Sequence, residues 1–164
     1  MLHVITGNGK GKTTAAVGLA VRARGAGLSV LFFQFLKGRP TGETRPLEQL
    51  GIKTLRGNTV KFLPELSVPE RADYIASERE RFLCTADLFP EFGMVVLDEA
   101  AAAVSCKIIT AGELLHALPP SIECVLTGRD FPPEILEKAD YISDIQCVRH
   151  PYERGVSARK GIEF

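Results

Sequence analysis

The chain has 164 residues, of which 45% are hydrophobic and 24% charged, and its 20 basic and 20 acidic residues cancel to a formal charge of zero. A chain of this length suits one domain, residues 1–164, since it can bury about 70% of its unfolded surface. The neutral balance gives no field that favours nucleic acid or an anionic membrane, and no apolar run is long enough to span a bilayer. The N-terminus is predicted to enter a strand at once rather than form a signal peptide, so we expect a cytoplasmic protein.

A glycine-rich segment follows a predicted strand at residues 2–5 and precedes a predicted helix at residues 15–23. Strand, glycine-rich turn and a Gly-Lys-Thr that opens a helix form the arrangement of a phosphate-binding loop. Its glycines let several N–H groups point at one anion, and the helix N-terminus adds positive potential. A plain turn between strand and helix is the alternative, since the first glycine of the strict motif is replaced here by threonine. The segment consists of Thr6, Gly7, Asn8, Gly9, Lys10, Gly11, Lys12, Thr13 and Thr14.

Lysine and threonine at the end of this segment have defined chemical uses. Lys12 can reach the terminal phosphates of a nucleotide, and the Thr13 hydroxyl can ligate Mg²⁺.

The rest of the chain alternates predicted strands with predicted helices. This alternation predicts an α/β fold with three layers around a mostly parallel sheet, as in the RecA-like P-loop NTPases. Residues 56–66 are irregular, and we expect them near the ligands. The further strands are predicted at 29–35, 52–55, 94–97, 123–127 and 141–148. The helices are predicted at 44–50, from 67 to about 89, from 100, from 110 to the prolines at 119 and 120, and at 132–139.

The strand at 94–97 runs directly into Asp98 and Glu99. An apolar strand that ends in carboxylates is the Walker B type of signal, in which Asp98 holds Mg²⁺ directly or through water. Glu99 can polarise a water, bind metal or bind ribose. Alternatively, both residues only begin the next helix and complement its dipole.

Other candidate residues also follow predicted strands, where ligands of α/β sheets gather. Gln34 and Lys37 follow the second strand, and Arg129 follows the strand at 123–127. Arg129 suits a phosphate contact, although a surface arginine in a turn is nearly as good an interpretation. His150 lies in a basic tail; such tails are usually solvated, and an anion-binding lid is the alternative.

These blocks, in this order, resemble the P-loop type of ATP:corrinoid adenosyltransferase. The resemblance rests on residues 6–16, 34–38, 95–99 and 126–129 and on the ending at 155–164, and it spans nearly the whole chain. It implies that a reduced cob(I) corrinoid attacks the 5′ carbon of ATP and expels triphosphate, with ATP held in the opposite polarity to ordinary P-loop NTPases. It also implies a homodimer, with a flavoprotein as a candidate reductant.

The resemblance adds residues to the expected site. It places Thr6 to Thr14, Arg22, Gln34, Glu99 and Arg129 around the nucleotide, and Thr13 and Asp98 at Mg²⁺. Catalytic roles are expected for Lys12, Glu99 and Phe62. Phe62 is the substitute for a Phe-x-Trp segment near the corrinoid, because this chain has no tryptophan.

Two other functions stay open from the residues alone. One is an ordinary P-loop kinase or ATPase, which would use Glu99 to position water. The other is a module that binds nucleotide or corrinoid without catalysing a reaction.

Overall fold

The computed structural model describes residues 1–38, 41–57 and 65–162. These residues form one six-stranded sheet in which each pairing of neighbouring strands is parallel, in the order β3-β2-β4-β5-β1-β6. The strands are β1 (Leu2–Thr6), β2 (Val30–Gln34), β3 (Lys53–Arg56), β4 (Met94–Asp98), β5 (Glu123–Thr127) and β6 (Tyr141–Asp144). The predicted α/β class and parallel sheet are confirmed.

The connecting helices are α1 (Lys12–Gly25), α2 (Thr44–Gln49), α3 (Val68–Ala86), α4 (Ala100–Ser105), α5 (Ala111–Ala117) and α6 (Pro133–Leu136). Capping boxes begin α3 at Ser67 and α5 at Thr110, since in each a glutamate three residues later returns a hydrogen bond to the cap. None of the helices in the described part of the chain is both long and apolar enough to cross a membrane.

Several predicted elements end earlier in the structure, among them the long helix, the last strand and the helix predicted at 132–139, which ends at Leu136. The long helix stops at Ala86, and a 3₁₀ turn at Phe89–Glu91 follows it. The last strand was predicted to reach residue 148 but ends at Asp144. There the chain leaves the sheet edge and turns onto the loop between β1 and α1, where Gly9 N donates to Ile145 O at 2.7 Å.

Apolar side chains cover both faces of the sheet. On one face Phe33 and Leu97 pack with Phe82 of α3 and Leu114 of α5. On the other, Phe32 and Val96 pack against α1, whose buried residues are all alanines: Ala16, Ala20 and Ala23. Because these residues are small, α1 packs closely against the sheet. The N-terminus of this helix therefore lies close to the end of β1.

Candidate functional site

The loop between β1 and α1 turns tightly and lies against the end of β6. Gly7 and Gly11 have φ values of 101° and 116°, in the left-handed region that favours glycine. A Cβ at Gly9 would lie 2.7 Å from Ile145 O and 2.8 Å from the Gln146 carbonyl. The loop is held by Cys147 N, which donates to Asn8 Oδ1 at 2.9 Å.

Lys12 lies across the mouth of this loop. Its Nζ donates to Gly7 O and to Gly9 O, each at 2.8 Å. Burial and the nearby Arg129 charge lower the pKa of Lys12, while Glu99 opposes the shift. The two carbonyl contacts hold the Nζ of Lys12 at the loop.

Asp98, at the end of β4, is completely buried and accepts four hydrogen bonds. Oδ1 accepts from Thr13 Oγ1 at 2.8 Å and from Thr127 Oγ1 at 2.7 Å. Oδ2 accepts from Gln34 Nε2 at 3.2 Å and from Lys37 Nζ at 2.6 Å. A buried carboxylate needs such partners to remain charged, so Asp98 joins the phosphate loop to the ends of three strands.

Lys37 is the cation that balances Asp98. Burial lowers the pKa of Lys37, but the charge and hydrogen bond of Asp98 outweigh burial, with help from Glu43 and Glu99, and the pKa is raised. Gln34 Nε2 also donates to Glu43 Oε1 at 3.0 Å. Gln34 Oε1 is buried and finds no hydrogen-bond partner among the described residues, which leaves one acceptor beside Asp98 unused there.

Glu99 begins α4 in a left-handed conformation, with φ of 61° and ψ of 29°. This conformation is uncommon for a residue with a side chain, and such outliers concentrate at functional sites. The Glu99 N–H donates to Thr127 Oγ1 at 3.0 Å, which fixes the backbone. Burial first, and the Asp98 charge second, raise the pKa of Glu99 against the opposing charges of Lys37, Lys12 and Arg129.

A cleft of about 620 Å³ opens in front of the loop, large enough for a nucleotide-sized ligand. Lys10, Lys12 and Arg129 line it together with the residues of the glycine-rich loop, and Glu99 lines it as well, so its chemistry suits a polyanion with a bound cation. The lining residues are Asn8, Gly9, Lys10, Gly11, Lys12, Thr13, Thr14, Glu99, Ala102, Ser105, Arg129, Asp130, His150 and Ile162.

The sequence-predicted residues fall into three groups. Residues 8–14, Glu99 and Arg129 line the cleft. Gln34 and Asp98 lie behind it in the buried network, whereas Arg22 is exposed on α1 and does not line the cleft. Thr6 ends β1 and Gly7 begins the turn into the loop, and neither lines the cleft. Phe62 lies outside the described residues, so its expected role stays a prediction.

Sequence reasoning missed several members of the site. Thr127, the last residue of β5, was not singled out, although it donates to Asp98. Lys37 was a candidate because it follows the second strand, but its contact with Asp98 was not predicted. Asp130 directly follows the predicted Arg129, and Ser105 carried no motif signal. Ile162 lies in the ending 155–164 on which the resemblance rests, but no role at the cleft was predicted for it.

The parallel sheet, the glycine loop opening α1 and the carboxylates after β4 together define a P-loop protein. The sequence model of the family "ATP:corrinoid adenosyltransferase BtuR/CobO/CobP" matches residues 1–164. The chain belongs to this family, and the resemblance stated from the motifs is confirmed.

Named relatives agree with the family assignment. Corrinoid adenosyltransferase CobA of Salmonella typhimurium is 36% identical over 169 residues, which cover 100% of this chain and 85% of the relative. The corrinoid adenosyltransferase of Escherichia coli K12 is 36% identical with the same coverage. That of Pseudomonas aeruginosa is 33% identical over 100% of this chain and 83% of the relative. Family and relatives thus support a transferase with ATP:corrinoid adenosyltransferase activity.

Proposed function

We propose that the protein transfers the 5′-deoxyadenosyl group of ATP to a reduced cob(I) corrinoid within a single domain. The cobalt electron pair forms the bond to C5′ and the bond between C5′ and the phosphate oxygen breaks. Triphosphate leaves with the electron pair of the broken bond. The observation that carries the proposal is the cleft itself, which a phosphate loop with Lys12, Glu99 and Arg129 line together in a chain that matches the family over its full length.

In this reaction the protein binds the triphosphate leaving group and stabilises its charge. Lys10, Lys12, Arg129 and the residues of the phosphate loop line the cleft, and we propose that they hold the triphosphate. Fixed positive groups stabilise charge that grows on triphosphate as it departs, and they act most strongly in a partly buried cleft. Cob(I) is a strong nucleophile, so the site needs no general base for the attack.

Mg²⁺ fits the corner between the loop and β4. The donors there are hard oxygens, as this ion prefers: the Thr13 hydroxyl and the Glu99 carboxylate line the cleft, and Asp98 lies behind Thr13. Because both Asp98 oxygens already accept hydrogen bonds, we propose that Asp98 acts by orienting Thr13 or through water. The ion would neutralise charge on the phosphates.

The remaining expectations are proposals of the same kind. Arg22, Gln34 and Phe62 complete the nucleotide and corrinoid sites, the protein works as a cytoplasmic homodimer, and a flavoprotein supplies the electrons that reduce the corrinoid.

The decisive assay incubates the protein with ATP, Mg²⁺ and chemically reduced cobalamin. We expect adenosylcobalamin and triphosphate in equal amounts. ADP and phosphate would instead identify a kinase or ATPase, and tight ATP binding without any product would identify a binding module. Either result would overturn the proposal.

A further inference from the structure

His150 lies in the segment after β6, far along the chain from the phosphate loop, yet it lines the same cleft. The segment is attached to the loop at three points. Ile145 N donates to Thr6 O at 2.9 Å, Gly9 N donates to Ile145 O at 2.7 Å, and Cys147 N donates to Asn8 Oδ1 at 2.9 Å. The path of the chain into the cleft is therefore fixed by the loop that it accompanies.

The imidazole of His150 is oriented by its own backbone turn. Tyr152 N–H donates to Nδ1 at 3.2 Å, where His150 caps the 3₁₀ turn Pro151–Arg154. Because a backbone N–H can only donate, Nδ1 is the acceptor and the ring proton lies on Nε2. Within the described residues Nε2 has no partner, so one N–H donor of a cleft-lining ring is unused.

The surroundings indicate what this donor would meet. Among the residues that the structure describes, three cations that attract phosphate oxygens line the cleft, Lys10, Lys12 and Arg129, against two carboxylates, Glu99 and Asp130. A neutral N–H donor adds a directional hydrogen bond to such a site without adding to the repulsion among its cations.

We propose that His150 is a further contact of the nucleotide, donating from Nε2 to an oxygen of the polyphosphate. The inference rests on the proposed function in that it takes ATP and triphosphate as the ligands. His150 would then bind the nucleotide as well as cap the 3₁₀ turn. If its role were purely structural, the only hydrogen bond of its ring among the described residues would be the one from Tyr152 N–H.

The two ring nitrogens can be separated by substitution. Asparagine can keep the acceptor for Tyr152 N–H but cannot reach as far as Nε2, whereas glutamine keeps a donor near the Nε2 position and loses the cap. The variants are therefore His150→Asn, His150→Gln and His150→Ala. His116→Ala is the matched control, because His116 is exposed on α5 and does not line the cleft.

Equilibrium dialysis with ATP and with inorganic triphosphate measures the contact, and thermal unfolding checks that each variant is folded. We expect H150N and H150A to weaken both ligands by about tenfold, as for one hydrogen bond to a charged group. H150Q is expected to retain most of the affinity, and H116A all of it.

Equal affinities in H150N and the wild type would overturn the inference, as would a loss confined to ATP, which would place the ring on the nucleoside. Turnover of the wild type is measured separately. A wild type that makes adenosylcobalamin, combined with unchanged binding in H150N, removes this inference and leaves the proposed function intact.

Discussion

Lys37 Nζ lies 2.6 Å from Oδ2 of Asp98, a carboxylate with 0% exposure. The contact spans 61 positions of the chain and forms because β2 and β4 are neighbours, with Gln34 paired to Asp98 in register. Behind the phosphate loop, this pair supplies the charge balance on which the buried network depends.

Lys37→Met should lower the free energy of unfolding by about 3 kcal/mol, because removing one partner leaves a buried charge without compensation. Chemical denaturation measures the change. Lys138→Met is the control, since Lys138 is exposed at the end of α6. A loss no larger than in K138M would mean that the ion pair adds nothing to stability.

Glu99→Gln should raise stability and lower activity. The pKa of Glu99 is raised by burial and by Asp98, so ionising it in the folded state costs free energy. At low pH Glu99 is protonated in the folded and the unfolded state, and the two proteins should be equally stable. The advantage of E99Q should grow as the pH rises from the ordinary pKa of a glutamate to the raised pKa of Glu99, and stay constant above it. Chemical denaturation at several pH values, without nucleotide or metal, measures the difference in unfolding free energy between E99Q and the wild type. The turnover of E99Q should be about tenfold lower or more. A wild type more stable than E99Q at neutral pH would contradict the expected gain in stability.

Gly9→Ala and Gly18→Ala should have opposite effects. A Cβ at Gly9 would meet Ile145 O at 2.7 Å, so G9A must displace the segment after β6 and should destabilise the protein and weaken ATP binding. Gly18 lies in α1, and no atom of the described residues outside its own helix comes within 4 Å of the added Cβ, so alanine there should stabilise the protein by about 0.5–1 kcal/mol. Calorimetry compares the two. Equal melting temperatures would argue against the close approach at Gly9.

Lys12→Ala should reduce the affinity for ATP and for triphosphate by at least about tenfold, because it removes the charge at the mouth of the loop. Titration calorimetry measures both ligands, with Lys138→Ala as the control for loss of an exposed charge. ATP affinity and turnover like those of the wild type would remove Lys12 from the site.

Phe62→Ala should slow transfer to cob(II)alamin in the presence of a reductant more than it weakens ATP binding. The comparison of kcat with the ATP Kd tests this. An equal effect on both would assign Phe62 to core packing.

The order of elements was predictable because its signals are local. Glycines before Lys12 and Thr13, capping boxes at Ser67 and Thr110, and apolar runs of strand length each specify structure over a few residues. Element ends were predicted less well. The apolar residues after Asp144 have strand character, but their hydrogen bonds go to the phosphate loop instead of continuing the sheet.

By itself, the sequence determined the phosphate loop, the carboxylates after β4 and the family, since these depend on residue types at fixed short spacings. Only the tertiary structure decided that Lys37 and Thr127 reach Asp98, that residues 145–147 hold the loop, and that His150 enters the cleft. Those contacts join residues tens of positions apart, and the order and register of the strands, not any local pattern, bring them within hydrogen-bonding distance.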